Sequence, residues 1–391
     1  MAGGADKSML YRLTIVIETL DRGGAEWHLL QVLPRLREHN FKIEIFCLHH
    51  RGELAAEMER RGIVVHGSDV PQSSLLLRVG YLLIRSVALF AHLLRNKPDI
   101  VHFFLPAAYI LGAPASVIAR CRIRLMSRRS QNNYQDHLFW SGTIERQWHH
   151  RMSAVLGNSR SVIEQLSQEG VPDSKLHLVY NGVDLSAFGR QIPRQVARDR
   201  LGLSSEALVF VIVANLIPYK GHADLLQAFA QIKDRLPGNW VLLCAGRDDG
   251  IGSVLQDMVE DLGLTQRVHW LGSVKDVPSL LAAADVGLLT SHEEGFSNAI
   301  IEYMATGLPA IVTDVGGNPE AVLHEQSGLV VPARAPGTLA DAILRLTFDP
   351  PLRQRFGAAA QSLVRERFSL EACVEQYVHL YRRILKDHGV D

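Results

Sequence analysis

The run Ser291-His-Glu-Glu-Gly-Phe-Ser-Asn-Ala-Ile-Ile-Glu302 joins a glycine turn to an apolar helix, with one carboxylate in the turn at Glu294 and another inside the helix at Glu302. The first backbone N–H groups of such a helix, over Gly295, Phe296, Ser297, Asn298 and Ala299, lack intrahelical partners. They also carry the positive end of the helix dipole, so they can seat a phosphate. Asn298 and Glu302 are four residues apart and share a face. A diphosphate at this N-terminus leaves Glu302 about one turn deeper, able to accept hydrogen bonds from a sugar hydroxyl. Glu294 stands on the other side of the phosphate. The arrangement suits a nucleotide carrying a sugar, with ribose at one carboxylate and the second sugar at the other.

Other turns repeat the theme. Arg22-Gly23-Gly24-Ala25-Glu26 follows the first strand-like run, at the edge where parallel sheets bind ligands. Its glycines let the backbone approach a phosphate closely. Lys220, in Asn215-Leu-Ile-Pro-Tyr-Lys-Gly221, can act as a point charge on a diphosphate. Arg247, in Gly246-Arg-Asp-Asp-Gly250, closes another strand at the same edge. Gly316 and Gly317 precede a helix start at Asn318-Pro319-Glu320 and form a further nest. The convergence of several strand-end turns on one kind of ligand carries more weight than any single motif.

The elements that must position these residues are short apolar runs alternating with helical patterns, which predicts parallel sheets with crossover helices. The first series runs from Leu13–Ile17 to the run near 176–179. Periodicity is lost from Gly189 to Arg194, and a second series starts at 207–214. We expect two doubly wound, Rossmann-like domains facing across a cleft. Residues 1–188 form the first, together with a helix over 369–391, and residues 195–368 form the second. The segment 75–94 is very apolar but is cut by Arg78 and Arg85, so it does not span a membrane. It reads either as a domain helix whose arginines snorkel outward or as an interfacial helix touching a membrane.

Lysine plus arginine equals aspartate plus glutamate at 41 each, which disfavours a general nucleic-acid binder. The four cysteines contain no Cys-x-x-Cys, which points to a reducing compartment and away from a disulfide framework or zinc knuckle. No secretory apolar core opens the chain. The adjacent pairs His49-His50 and His149-His150 are expected to point apart on regular structure, and the 17 histidines read as surface or core residues rather than metal ligands. No Asp-x-Asp offers a seat for a divalent metal on a diphosphate, and neither a Gly-x-Ser-x-Gly elbow nor a P-loop is present.

On Gly23–Glu26, Asn215–His222, the Glu294-x7-Glu302 run, Leu281-Ala-Ala-Ala-Asp285 and Val315-Gly-Gly-Asn-Pro-Glu320, the chain resembles the family 4 glycosyltransferases of the two-domain GT-B type, over nearly its whole length. The resemblance implies transfer with retention of anomeric configuration, no cofactor and no metal ion. It places a nucleotide-sugar donor on the C-terminal domain and an acceptor on the N-terminal one, with a final helix returning to the first domain. It gives Glu302 the ribose and Glu294 the transferred sugar. Lys220 and the amides of Phe296 to Ala299 hold the diphosphate, with Gly24 against the donor phosphate. Two positions depart from the family. Asn215 stands where an arginine is usual, so one diphosphate cation is either missing or supplied from elsewhere, by Arg247 or Arg129. The region after the 123–127 strand lacks the family's histidine, leaving Arg128, Arg129, Asn132 or His102 to act near the transferring sugar.

The expected function is transfer of a hexose or N-acetylhexosamine, from a UDP-sugar in the first instance, to a glycan or lipid-linked acceptor. The place is the cytoplasm or the inner face of the cell membrane, with a peripheral contact through 75–95. A nucleotide-sugar epimerase and a non-catalytic nucleotide-sugar scaffold are the alternatives.

Overall fold

The computed structural model describes residues 9–68, 75–131, 139–189 and 192–390. The chain divides into two compact units, Met1–Asn181 with Leu370–Asp391, and Gly182–Ser369. The break falls earlier than the expected close at 188. The Val183 amide donates to the Phe368 carbonyl (2.9 Å), and Val183 bridges Ser369, which ties the 182–189 segment to unit 2.

Unit 1 holds β1 (Tyr11–Ile17), β2 (Phe41–Cys47), β3 (Val64–His66), β4 (Ile100–Phe104), β5 (Ile123–Arg128), β6 (Ala154–Gly157) and β7 (Leu176–Leu178), in the order β3-β2-β1-β4-β5-β6-β7. Unit 2 holds β8 (Leu208–Val213), β9 (Trp240–Ala245), β10 (Val268–Gly272), β11 (Val286–Leu289), β12 (Ala310–Thr313) and β13 (Gly328–Val331), in the order β10-β9-β8-β11-β12-β13. The paired strands are parallel throughout both sheets. Strands covered on both faces are apolar along nearly their whole length, which is why Leu208–Val213 reads as an unbroken hydrophobic run and Ile100–Phe104 is interrupted only by the buried His102.

Each sheet starts at its centre, winds outward one way, then reverses. The reversal lies between β1 and β4 in unit 1 and between β8 and β11 in unit 2. Crossovers leave these neighbouring strand ends in opposite directions, so a crevice opens at their carboxyl ends and receives ligand.

The Leu370–Asp387 helix belongs to unit 1. Leu370, Tyr377 and Tyr381 are buried in the same core as Ile15 and Ile45, and the Tyr381 and Phe41 rings meet edge to face at 5.6 Å. β13 lies in a stretch that sequence periodicity leaves unassigned. Its four residues form a strand by pairing with β12.

The Leu75–Asn96 helix corrects one expectation. Arg85 does not snorkel outward but turns in, donating from Nη2 to the Cys47 carbonyl at the end of β2 (2.9 Å) and lying 4.6 Å from the Phe46 ring centre. Among the described side chains of this helix, Ile84, Val87 and Leu94 are exposed apolar residues. Among the described residues no helix is long and apolar enough to cross a membrane.

Candidate active site

The site is clearest in unit 2, at the reversal between β8 and β11. The chain leaves β8 through the Pro218–Lys220 turn and enters the His222–Ile232 helix at Gly221, whose φ of 69° is left-handed. A Cβ on Gly221 would stand 2.0 Å from the Thr290 carbonyl oxygen. Only glycine permits that approach, and the Thr290 hydroxyl completes it by donating to the Lys220 and Gly221 carbonyls at 3.1 and 3.0 Å. The two strand-end turns are thus locked together, with Lys220 on one and Glu294 on the other.

Lys220 Nζ lies 2.6 Å from Glu294 Oε1, and the Ser291 hydroxyl donates to the same oxygen at 2.7 Å. The two side chains keep 18% and 10% of their surface open, so a ligand can still reach them. Burial works against the Lys220 ammonium, but the Glu294 carboxylate overrides it and holds the lysine pKa above its usual value. His222, buried one residue beyond Gly221, is pushed down to about 4 by burial and by Lys220, so it is neutral at physiological pH.

Behind Glu294 the backbone turns through Gly295, Phe296 and Ser297 into the Asn298–Thr306 helix. Ser297 occupies the cap position, yet its side chain makes no cap hydrogen bond. Phe296 is buried and packs against Phe368 at 5.2 Å, which anchors the turn. Gly316 (φ 52°) passes so close that a Cβ would lie 1.8 Å from the Glu294 carbonyl oxygen, and the Gly317 amide donates to the Gly295 carbonyl at 2.8 Å. These glycines serve as a floor that fixes the Glu294 turn. Glu302 is partly buried one turn into the helix, and desolvation raises its pKa to about 7.

Asn215 and Arg247 sit beside one another. The Arg247 amide donates to Asn215 Oδ1 (3.1 Å), while the Asn215 amide and the Arg247 guanidinium both meet Asp249, at 3.1 and 2.6 Å. The position of the usual arginine is thus filled by a side chain that braces the Arg247 turn.

In unit 1 the corresponding turn carries Gly23 as cap and Gly24 as first residue of the Gly24–Arg37 helix. A Cβ at Gly23 would meet Glu26 Oε2 at 2.4 Å. Desolvation raises the Glu26 pKa to about 7. Leu105, after β4, has φ 71° and ψ 155°, a strained backbone that sequence reading did not anticipate. Arg129 is half-buried, donating to Tyr377 Oη at 3.2 Å and to Asn181 Oδ1.

Two of the proposed sugar-side residues are sealed in the core. His102 has both ring nitrogens engaged, by Tyr381 Oη at 2.7 Å and Ser127 Oγ at 2.8 Å, and burial lowers its pKa to about 3. Arg128 is fully buried between Glu145 and Glu169, with Nη1 2.5 Å from Glu169 Oε1. Asn132 lies outside the described residues. Of the histidine pairs, His149 and His150 part as expected, His149 buried against Glu169 at 3.3 Å and His150 exposed, whereas His49 and His50 leave β2 in a loop with their Nδ1 atoms 2.7 Å apart.

Known proteins align with this geometry. The model described as Glycosyltransferase Family 4 matches residues 22–187, and that described as Glycosyl transferases group 1 matches residues 193–363. The N-acetyl-α-D-glucosaminyl L-malate synthase of Bacillus anthracis is 31% identical over 233 residues, covering 60% of each chain. A D-inositol 3-phosphate glycosyltransferase of Saccharomonospora viridis is 32% identical over 226 residues, 56% of this chain and 52% of that one. The aligned stretch is thus little more than half the length of these relatives. Among solved structures, HepE of Anabaena in complex with UDP-glucose superposes with a TM-score of 0.82 at 23% identity, covering 95% of this chain and 99% of that one. A glycosyltransferase of Rickettsia africae gives 0.80 at 20%, covering 97% and 100%. At these identities the shared property is the fold.

Proposed function

The chain belongs to the family 4 glycosyltransferases, and we propose that it moves a hexose or N-acetylhexosamine from a nucleoside diphosphate sugar to a glycan or lipid-linked acceptor, with retention and without a metal ion. The observation that carries this reading is the Lys220–Glu294 pair at the reversal point of unit 2, beside the N-terminus of the Asn298–Thr306 helix. Lys220 and the amides of Phe296 to Ala299 would hold the diphosphate. Glu302 would accept from the ribose hydroxyls and Glu294 from the transferred sugar. UDP is the preferred nucleotide, in keeping with the ligand named for HepE.

In the transfer, the bond from the sugar's anomeric carbon to the diphosphate oxygen breaks, and the acceptor oxygen bonds to that carbon on the same face. The acceptor's proton passes to the departing phosphate oxygen. No protein base is needed; the protein positions both partners and stabilises the leaving charge through Lys220 and the helix end. Unit 1 would hold the acceptor. Exposed Ile84, Val87 and Leu94, with Arg95 beyond them, support contact of the Leu75–Asn96 helix with the inner face of the cell membrane. Flotation with anionic vesicles tests that part, and an unbound protein at low salt removes it.

Purified protein incubated with a panel of UDP- and GDP-sugars in the presence of EDTA tests the activity. Nucleotide release from one donor is the expected result. Binding of no donor removes the reading.

A further inference from the structure

Glu44, His66 and His92 form a cluster that the transfer chemistry does not use. Glu44 lies on β2, and His66 is the last residue of β3. The register pairs Glu44 with Val64 and Phe46 with His66, so Glu44 and His66 stand on the same face of the sheet. The Leu75–Asn96 helix covers that face, and His92 comes down from it onto the Phe46 ring at 5.3 Å. His66 Nε2 is 3.3 Å from Glu44 Oε2, His92 Nε2 is 3.5 Å from the same oxygen, and the three candidate ligand atoms lie within 4.8 Å of one another.

We propose that Glu44, His66 and His92 bind a divalent transition-metal ion of the zinc class, as a structural clamp between the sheet edge and the Leu75–Asn96 helix. Two imidazoles and one carboxylate are a donor set that zinc takes. With metal–ligand bonds of about 2.1 Å, the edge of a tetrahedron is about 3.4 Å. The two nitrogen–oxygen separations already match that edge, so the ligands need little movement to close on an ion. Three protein ligands leave one position for water. The Asn96 side chain stands ready beside it, with Nδ2 3.1 Å from Glu44 Oε2 and 3.2 Å from each His92 ring nitrogen. Turning that amide over would present its oxygen as a fourth ligand. Arg12 holds Asn96 in place by donating to its carbonyl at 2.8 Å.

The cluster is also reachable. The His66 side chain is 37% exposed, against 20% for Glu44 and 10% for His92, so an ion enters from the His66 side. The ion would join three elements distant in sequence, among them the edge strand β3, which is only three residues long.

The full-length protein, stripped with EDTA and dialysed, is titrated with Co²⁺ and then Zn²⁺. The expected result is one equivalent of Co²⁺ with the visible bands of a tetrahedral site, displaced by Zn²⁺, and a rise in the unfolding midpoint with Zn²⁺. His66→Ala should weaken Co²⁺ binding at least tenfold while leaving nucleotide-sugar turnover unchanged. Its partly exposed position makes it compatible with folding, and Glu44→Gln provides the isosteric second variant. Absence of stoichiometric Co²⁺ binding overturns the proposal. So does binding that survives both variants, since it would then belong to other histidines such as His49 and His50.

Discussion

At the reversal between β8 and β11, a lysine and a glutamate meet 2.6 Å apart, partly open to solvent, on turns that two glycines force into contact. At the corresponding reversal between β1 and β4, the turns carry Gly23, Gly24 and the strained Leu105, and burial raises the Glu26 carboxyl to about 7. An exposed Arg22–Glu53 pair also stands at that strand end, while the buried charges of unit 1 lie elsewhere, in Arg128, Glu145 and Glu169, with His149 against Glu169. Two sheets with one winding order thus use charge differently. In unit 2 charge stands at the strand ends, where a ligand would meet it. In unit 1 the strand end carries only a largely exposed pair, and the buried charge holds helices to the sheet. The fold supplies the crevice, and the chemistry depends on which residues occupy its turns.

That contrast can be broken most forcefully in unit 1. Arg128→Met leaves two carboxylates buried without their cation and should cost about 3–5 kcal/mol of stability. Denaturant unfolding measures the loss, and UDP-sugar binding to the folded fraction should stay unchanged. In unit 2 the signature reverses. Glu294→Ala should lower turnover about 100–1000-fold with a small change in stability, read by steady-state kinetics beside a melting curve. Unchanged turnover removes Glu294 from the site. Gly316→Ala drives a methyl against the Glu294 carbonyl in a left-handed backbone, at about 2 kcal/mol, and should impair turnover by shifting the Glu294 turn.

The sequence made unit 2 legible because its site is local. Turn glycines, Lys220 and the 294–302 run follow strands, the first of which, β8 (Leu208–Val213), falls within the expected 207–214 run. Parallel strands buried on both faces announce themselves as apolar runs, so the doubly wound class was also readable. What stayed hidden depends on contacts between distant residues. His102 is held by a hydrogen bond to Tyr381, 279 residues away, and Arg128 is paired with Glu169, 41 residues away. No spacing rule exposes such pairs. The Glu44–His66–His92 cluster is hidden for the same reason, since register and helix placement assemble it. Leu105 gives no signal, because leucine has no preference for the backbone it adopts there.

A smaller effect separates the two carboxylates of the proposed donor site. Glu302 titrates near 7 in the folded protein against 4.5 ordinarily. Between those values the folded protein keeps a proton the unfolded chain has released, so stability falls as pH rises through 7. Donor binding should move the opposite way, because the ionised carboxylate is the better acceptor for ribose hydroxyls. Affinity should rise up to about tenfold from pH 6 to pH 8, following the ionised fraction, and Glu302→Gln should flatten the profile. Glu26, also near 7, would leave its share of the stability slope in that variant.

The most direct test of the account is calorimetric titration of UDP and UDP-sugars into the wild-type protein and Lys220→Ala, with EDTA present. The account predicts binding of at least one UDP-sugar by the wild type and a dissociation constant raised about 10–100-fold in the variant, as for loss of a charged hydrogen bond to the diphosphate. Equal affinity in the two proteins, or no binding to either, would contradict the assignment of the Lys220–Glu294 turn as the donor site.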